Sequence, residues 1–167
     1  MSEYLFEEIQ AEHLPDVREI YTYYILNSTA TFHQHILSLA EMRELVFFDN
    51  PKYITYIILD QGKLCGYVLL TQHKKREAYD TTAEVTIYLQ PNYTGKGLGS
   101  RALKFIEAKA VANGFHVLVA TICGENEQSL KLFEKSGYTK CAHYKEVGRK
   151  FDRWLDLIAY QKIIAAK

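Results

Sequence analysis

The chain has 167 residues, 20 basic and 20 acidic side chains balancing to a formal charge of zero, and 48% hydrophobic residues. That length and apolar content fit one domain spanning 1–167 with a core of its own, and they exclude a disordered chain. The longest basic cluster is His73-Lys74-Lys75-Arg76, too short for a nucleic-acid track, and no apolar run reaches transmembrane length, so neither nucleic acid nor membrane is an expected partner.

Leu5 to Gln10 reads as a short strand. Pro15 suits a helix start, where its missing N–H costs nothing, and Val17, Ile20, Tyr21, Tyr24 and Ile25 then recur at helical spacing. Ser38 and Glu41 have the spacing of a capping box, which opens a second helix running to about Phe48. Tyr53–Leu59 and Lys63–Gln72 are rich in β-branched and aromatic residues and are joined by Asp60-Gln61-Gly62, which predicts a hairpin. An apolar strand, Glu84–Gln90, stops at Pro91, and a helix over about 98–112 ends at the left-handed cap Asn113-Gly114. His116–Ile122 is a strand, Ser129–Lys135 a short helix stopped by Gly137, and Thr139–Val147 and Arg153–Gln161 are the last strands. Early hairpins followed by one β-α-β unit predict an α+β protein with a central mixed, mostly antiparallel sheet flanked by helices, not a doubly wound parallel sheet.

The acidic N-terminus, Met1 to Glu8, has no long apolar core, so no signal peptide is expected. Cys65, Cys123 and Cys141 are odd in number and unclustered, without metal-ligand spacing. Free thiols in a reducing cytosol and no bound metal are the expectation.

Gly95, Gly97 and Gly99 lie between a strand and a helix. Glycines there allow a ligand close to the backbone, and the unpaired N–H groups at a helix start attract anions, phosphate above all. The spacing is not that of a P-loop. A dinucleotide fingerprint fails as well, because Ser100 takes the place of the third glycine and the apolar run Val117-Leu118-Val119 lies where a ribose-binding acid belongs.

This segment resembles the acetyl-CoA loop of the GNAT acetyltransferases, Arg/Gln-x-x-Gly-x-Gly/Ala. Gly97 and Gly99 hold the two small positions, while Thr94 stands where Arg or Gln is usual. Three more segments resemble one branch, the phosphinothricin and methionine sulfoximine N-acetyltransferases and related amino-acid N-acyltransferases. They are N-S-T-A-T-F (Asn27 to Phe32), R-E-A-Y-D-T-T-A-E (Arg76 to Glu84) and E-V-G-R-K-F-D-R-W-L-D (Glu146 to Asp156), the last with Asp152 for a common glycine. The resemblance covers nearly the whole chain. It implies the GNAT fold and acetyl-CoA as acetyl donor, and a homodimer is expected. It further implies that Ile87, Tyr88 and Leu89 present strand backbone to the pantetheine arm. Gly95, Lys96, Gly97, Leu98, Gly99 and Ser100 would hold the pyrophosphate through backbone N–H groups, and Asn126 would hydrogen-bond the cofactor near the arm.

Most amines are protonated near neutral pH, so an amine that attacks a thioester needs a base within reach, directly or through one water. Glu84 matches the family's glutamate and is the expected base. Many family members carry a proton-donating tyrosine on the helix after the asparagine; here Phe133 occupies that position and has no proton to give. Another tyrosine or water serves, or the thiolate leaves unassisted. N–H donors around Tyr88 or Leu89 would meet the oxyanion. Phe32, Arg76 and Tyr79 are the acceptor-site candidates, since a guanidinium binds a carboxylate bidentately. Lys150, Arg153 and Trp154, in the C-terminal signature, shape either the pocket or a subunit contact. The expected activity is N-acetylation of a small amino acid or analogue. The alternatives are a protein N-terminus or polyamine as acceptor and a non-catalytic acyl-CoA sensor. A polyamine site would want an acidic groove, whereas the loop before Glu84 is basic.

Overall fold

The computed structural model describes residues 3–165. Among them, seven strands form one sheet in the order β1-β2-β3-β4-β5-β7-β6. The strands are β1 (Tyr4–Glu8), β2 (Ile54–Asp60), β3 (Lys63–Gln72), β4 (Thr82–Leu89), β5 (Val117–Cys123), β6 (Thr139–Lys150) and β7 (Arg153–Ile163). The helices are α1 (Leu14–Asn27), α2 (Leu39–Val46), α3 (Leu98–Ala112) and α4 (Glu127–Lys135).

Strand β3 shows why the sheet lies between two layers. Its side chains alternate faces from Gly66 onward, and a bulge at Cys65, opposite Ile58 and Leu59, shifts the phase so that Leu64 shares a face with Tyr67. Leu64, Tyr67 and Leu69 join a core with Val17, Ile20, Tyr21 and Ile25 of α1 and Met42 and Val46 of α2. Cys65, Val68 and Leu70 join the other core, with Leu98, Ala102, Leu103 and Ile106 of α3 and Phe133 of α4. Both faces of this strand are therefore buried, with α1 and α2 on one side and α3 and α4 on the other.

One junction in the sheet is parallel. β4 meets β5 through Thr82↔Val117, Ala83↔Leu118 and Glu84↔Val119, and the ladder stops there. β4 continues against β3 as far as Leu89↔Gly66, and β5 continues against β7 as far as Cys123↔Leu157. Beyond Glu84 the two strands part, and among the described residues no strand pairs with the β5-side edge of β4 from Val85 to Leu89.

The predicted order of elements is found, with shifted ends. β1 stops at Glu8; Gln10 instead precedes a short 3-10 turn, Ala11–His13, with its N–H donating to His13 Nδ1 at 2.9 Å. The Ser38–Glu41 capping box forms, but α2 ends at Val46 because Phe47 is already extended. β4 begins at Thr82, so Glu84 is its third residue and not its first, and Gln90 lies outside it. β6 runs past Val147 to Lys150. A bulge between Tyr144 and Gly148 absorbs the extra residues, with Glu146 at φ 55 and its N–H donating to Asp156 Oδ1 at 2.8 Å. Phe151 and Asp152, at φ 51 and 59, make the tight turn into β7, a conformation that Asp tolerates better than most residues.

Candidate active site

The parting of β4 and β5 opens a cleft of about 480 Å³, closed on its other sides by the starts of α3 and α4 and by the end of α1. Ile87, Tyr88 and Leu89 line it from β4, and Asn126 lines it from the start of α4. Gly95, Gly97, Gly99 and Ser100 line the mouth. Gly97 is the N-cap of α3 at φ 82, and a Cβ built there would meet no protein atom within 4 Å, so the position is kept bare by its backbone conformation and faces open space. Gly99 is small for another reason: a Cβ would sit 3.1 Å from the Leu132 side chain of α4, which would have to shift to make room. The first bond of α3 runs from Arg101 N to Gly97 O at 3.2 Å, which leaves the N–H groups of Leu98, Gly99 and Ser100 without intrahelical acceptors. Thr94 also lines the cleft, but its hydroxyl donates to Pro91 O at 2.7 Å and shapes the turn.

Two expected loop residues do not turn side chains to the cleft. Leu98 is fully buried in the core under α3, because the first helical position faces the sheet. Lys96 is exposed, with Nζ 5.9 Å from the Tyr93 ring centroid. Leu98 therefore has only backbone to offer. Asn126 caps α4, its Oδ1 accepting from Ser129 N at 3.2 Å, which leaves its amide hydrogens uncommitted. Phe133 lines the cleft and is buried, so the cleft has no phenol at that position. Two other tyrosines stand there instead. Tyr24 donates to Leu89 O and Tyr88 donates to Ala30 O at 3.3 Å. Burial, with Tyr23 nearby, pushes the Tyr24 phenol up to about 12, and burial raises Tyr88 as well, so both keep their protons at neutral pH.

Glu84 sits at the vertex where β4 and β5 part, on the strand face opposite Ala83 and Val85, and its side chain is 28% exposed. Its Oε2 lies 3.0 Å from His73 Nδ1. The His73 ring packs edge-on to Tyr79, centroids 5.6 Å apart, and Arg76 lies over the same Tyr79 ring at 5.7 Å. Glu84, Arg76 and Tyr79, three of the residues singled out in the sequence, are thus gathered around a histidine that was not.

Phe32 is elsewhere. It belongs to the loop after α1 and packs on β6, where a Cβ at Gly148 would come within 2.6 Å of its ring. That loop is pinned from several directions. Lys150 Nζ donates to Ser28 O at 2.7 Å and to Thr31 O at 2.8 Å, and Lys150 is only 2% exposed. Thr29 Oγ1 donates to Glu125 Oε1 at 2.6 Å, and Tyr21 OH shares a 2.6 Å bond with Thr31 Oγ1. Arg153 grips the same Glu125 carboxylate at 2.5 and 3.2 Å. These two bonds hold the Glu125 carboxyl below its usual range, while burial lowers the Lys150 ammonium. Ser28 and Ala30 of the pinned loop line the cleft. Trp154 is 59% exposed and stacks with Arg149, so it forms no part of the cleft wall. Among the described residues, no group of three or more His, Cys, Asp or Glu is arranged to hold a metal ion.

A sheet that splits beside a glycine-led helix start makes a cleft with a backbone anion site at its mouth, and comparison with known proteins gives its class. The family model described as the acetyltransferase (GNAT) family matches residues 16–138. The chain belongs to that family and so to the acetyl-CoA-dependent N-acetyltransferases. It is 29% identical over 160 residues to a phosphinothricin N-acetyltransferase of Alcaligenes faecalis, covering 95% of this chain and 81% of that one. It is 32% identical over 152 residues to the L-methionine sulfoximine/L-methionine sulfone acetyltransferase of Pseudomonas aeruginosa, covering 89% and 87%. Among solved structures, a phosphinothricin acetyltransferase from Sinorhizobium meliloti in complex with acetyl-CoA superposes with a TM-score of 0.91 at 30% identity, covering 97% of this chain and 89% of that one.

Proposed function

We propose that this protein moves the acetyl group of acetyl-CoA to the amine of a small amino acid or analogue, of the phosphinothricin or methionine sulfoximine type, by direct attack with Glu84 as general base. The pantetheine arm would run along the unpaired β4 edge at Ile87, Tyr88 and Leu89 and accept the hydrogen bonds β5 does not supply there. The pyrophosphate would lie against the backbone from Gly95 to Ser100, with the Asn126 amide beside the arm. The acceptor's ammonium gives one proton to Glu84, and nitrogen then bonds to the thioester carbon. Backbone N–H groups near Tyr88 or Leu89 meet the oxyanion. The C–S bond breaks and the nitrogen's second proton ends on sulfur. Neither cleft phenol is acidic enough to need invoking, and a thiolate is a modest enough base to leave unaided.

The observation that carries the acceptor class is the grouping of Arg76 and Tyr79 beside Glu84. Arg76 is exposed and among the described residues has no carboxylate partner, so its guanidinium is available to a substrate carboxylate while the α-amine faces Glu84. Phe32 would flank the acceptor from the β6 side. The three free cysteines support a reducing, cytoplasmic setting. The long outer strand β6, with Tyr144 and Val147 exposed, is the natural seat for the second copy of a homodimer.

Thiol release from acetyl-CoA tests the reading, comparing amino acids with their decarboxylated amines on wild type and on Arg76→Ala. A charge-assisted hydrogen bond is worth roughly 1.5–3 kcal/mol, so wild type should prefer the acid by about ten- to a hundredfold in kcat/KM and Arg76→Ala should lose most of that preference. Equal turnover of acid and amine by wild type would move the acceptor to an amine or peptide. Acetyl-CoA binding with no thiol release from any acceptor would make the protein a sensor.

A further inference from the structure

We propose that His73 is the proton outlet of this active site: it takes from Glu84 the proton that each turnover leaves there and passes it to solvent. The inference rests on the reading of Glu84 as base. Converting an ammonium and a thioester to an amide and a thiol releases one net proton per cycle. The ammonium loses two protons, one to Glu84 and one to the departing sulfur, while the C–N bond forms and the C–S bond breaks. The proton on Glu84 must leave before the next acceptor can be deprotonated, and a bound acceptor covers the side of the carboxylate it approaches.

The geometry provides a second side. His73 meets Oε2 through Nδ1 at 3.0 Å, and Oε1 has no hydrogen bond to protein among the described residues, which leaves it for the amine. With His73 as the Nε2–H tautomer, Nδ1 accepts the proton from Oε2 and Nε2 releases its own to water; the ring, left as the Nδ1–H tautomer, returns to Nε2–H by proton exchange with water before the next cycle. The His73 side chain is 21% exposed, so such an exit exists. Its ring is held edge-on by Tyr79, which keeps Nδ1 aimed at the carboxylate. The cations near this pair are Arg76, which lies over the far partner Tyr79, and the exposed Lys74 and Lys75 of the same loop. Across the sheet Glu84 is flanked by Thr71 and Val119, neither of them titratable.

The test measures kcat and both KM values for wild type, His73→Asn, His73→Ala and Glu84→Gln, with and without added imidazole, alongside acetyl-CoA affinity by calorimetry as a check of fold. Asparagine fills the Nδ1 position with an amide that can still hydrogen-bond Glu84, but it takes up no proton and has no second nitrogen to relay through. Both His73 variants should lose on the order of tenfold in kcat, less than the 10²–10⁴-fold typical of a general base, at unchanged KM for acetyl-CoA. Imidazole should restore part of the rate in His73→Ala and none in Glu84→Gln. Wild-type kcat in His73→Asn, or a His73→Ala defect that imidazole does not touch, overturns the outlet. If His73→Ala does not fold, kcat of His73→Asn decides alone. A fully active Glu84→Gln would instead sink the base assignment beneath it, so the two failures are distinguishable.

Discussion

At Thr82–Glu84 strand β4 is paired on both edges, by β3 and by β5, whereas from Val85 to Leu89 it is paired on one edge alone. The open half works through backbone. Its edge and the helix start at Gly97 offer N–H and C=O groups, and side chains matter there mainly by being small. The closed half and the loop after α1 work through side chains, with Glu84, His73 and Arg76 gathered in one cluster and Lys150 and Glu125 holding the loop in another, from four parts of the chain. A site made of backbone tolerates variation in side chains, and the Thr94 hydroxyl is turned to Pro91 O, within the turn. A side-chain site depends on each member. On the proposed reading, the donor site would stay constant within this fold while the acceptor site is retuned.

The largest effect should come from filling the backbone half. Gly97→Val puts a β-branched residue at φ 82, strained in itself, and pushes its methyls into space that no protein atom occupies. If phosphate oxygens sit there, the loss of their charge-assisted bonds should weaken acetyl-CoA by about a hundredfold or more. The fold should survive, because a Cβ there meets nothing in the protein. Calorimetry with acetyl-CoA measures this, and an unchanged affinity would remove the pyrophosphate from the helix start.

A smaller effect, and on the other substrate, is expected at Lys150. Its ammonium ties Ser28 O and Thr31 O, and it is nearly inaccessible. Removing it in Lys150→Ala leaves two carbonyls without a donor, but burying the charge was itself unfavourable, as its lowered pKa indicates. The net cost should be roughly 1–3 kcal/mol, read by denaturant unfolding. Lys150→Met, which keeps the stem, should recover the packing part only. In both, KM for the acceptor should rise with acetyl-CoA affinity little changed. The reverse pattern would erase the division between the two halves.

That division also explains what the sequence disclosed. The strand, the glycines and α3 are contiguous, and hydrophobic period and turn residues mark them directly, so the cleft from Ile87 to Ser100 was legible apart from the two loop side chains that face elsewhere. Phe32, Arg76, Tyr79 and Glu84 were singled out only where the family resemblance quoted them, and the sequence was silent on which of them meet. His73 was hidden in a run of cations that reads as a solvated loop. Lys150 lies at the end of an otherwise exposed strand, so no local pattern betrays its burial. Its partners are 119 and 122 residues away, and Thr29 is 96 residues from Glu125. Contacts of that range leave no periodicity in the chain. The bulge that carries β6 on to Lys150 breaks the alternation by which a strand is recognised.

The smallest effect should come from the outermost clasp, Glu125. Its carboxyl is held low by Arg153 and then by Thr29, and as a depressed carboxylate it stabilises the folded chain above its unfolded value, near 4.5. That contribution fades as the pH falls through the lower folded value, where the folded and unfolded forms bind the proton alike. Both partners are largely exposed, 40% for Glu125 and 51% for Arg153, so solvent screens the pair. Glu125→Gln should therefore lower Tm by only about 1–3 °C at pH 7. The difference from wild type should close in acid, once wild type has lost the same charge. Thr29 loses its carboxylate acceptor in this variant, so the acceptor loop should loosen slightly, with a modest rise in acceptor KM and none in that for acetyl-CoA. Thermal unfolding of the two proteins at pH 7 and below pH 4 checks the sign. A gap of the same size at both would mean that Glu125 acts through packing and not through its charge.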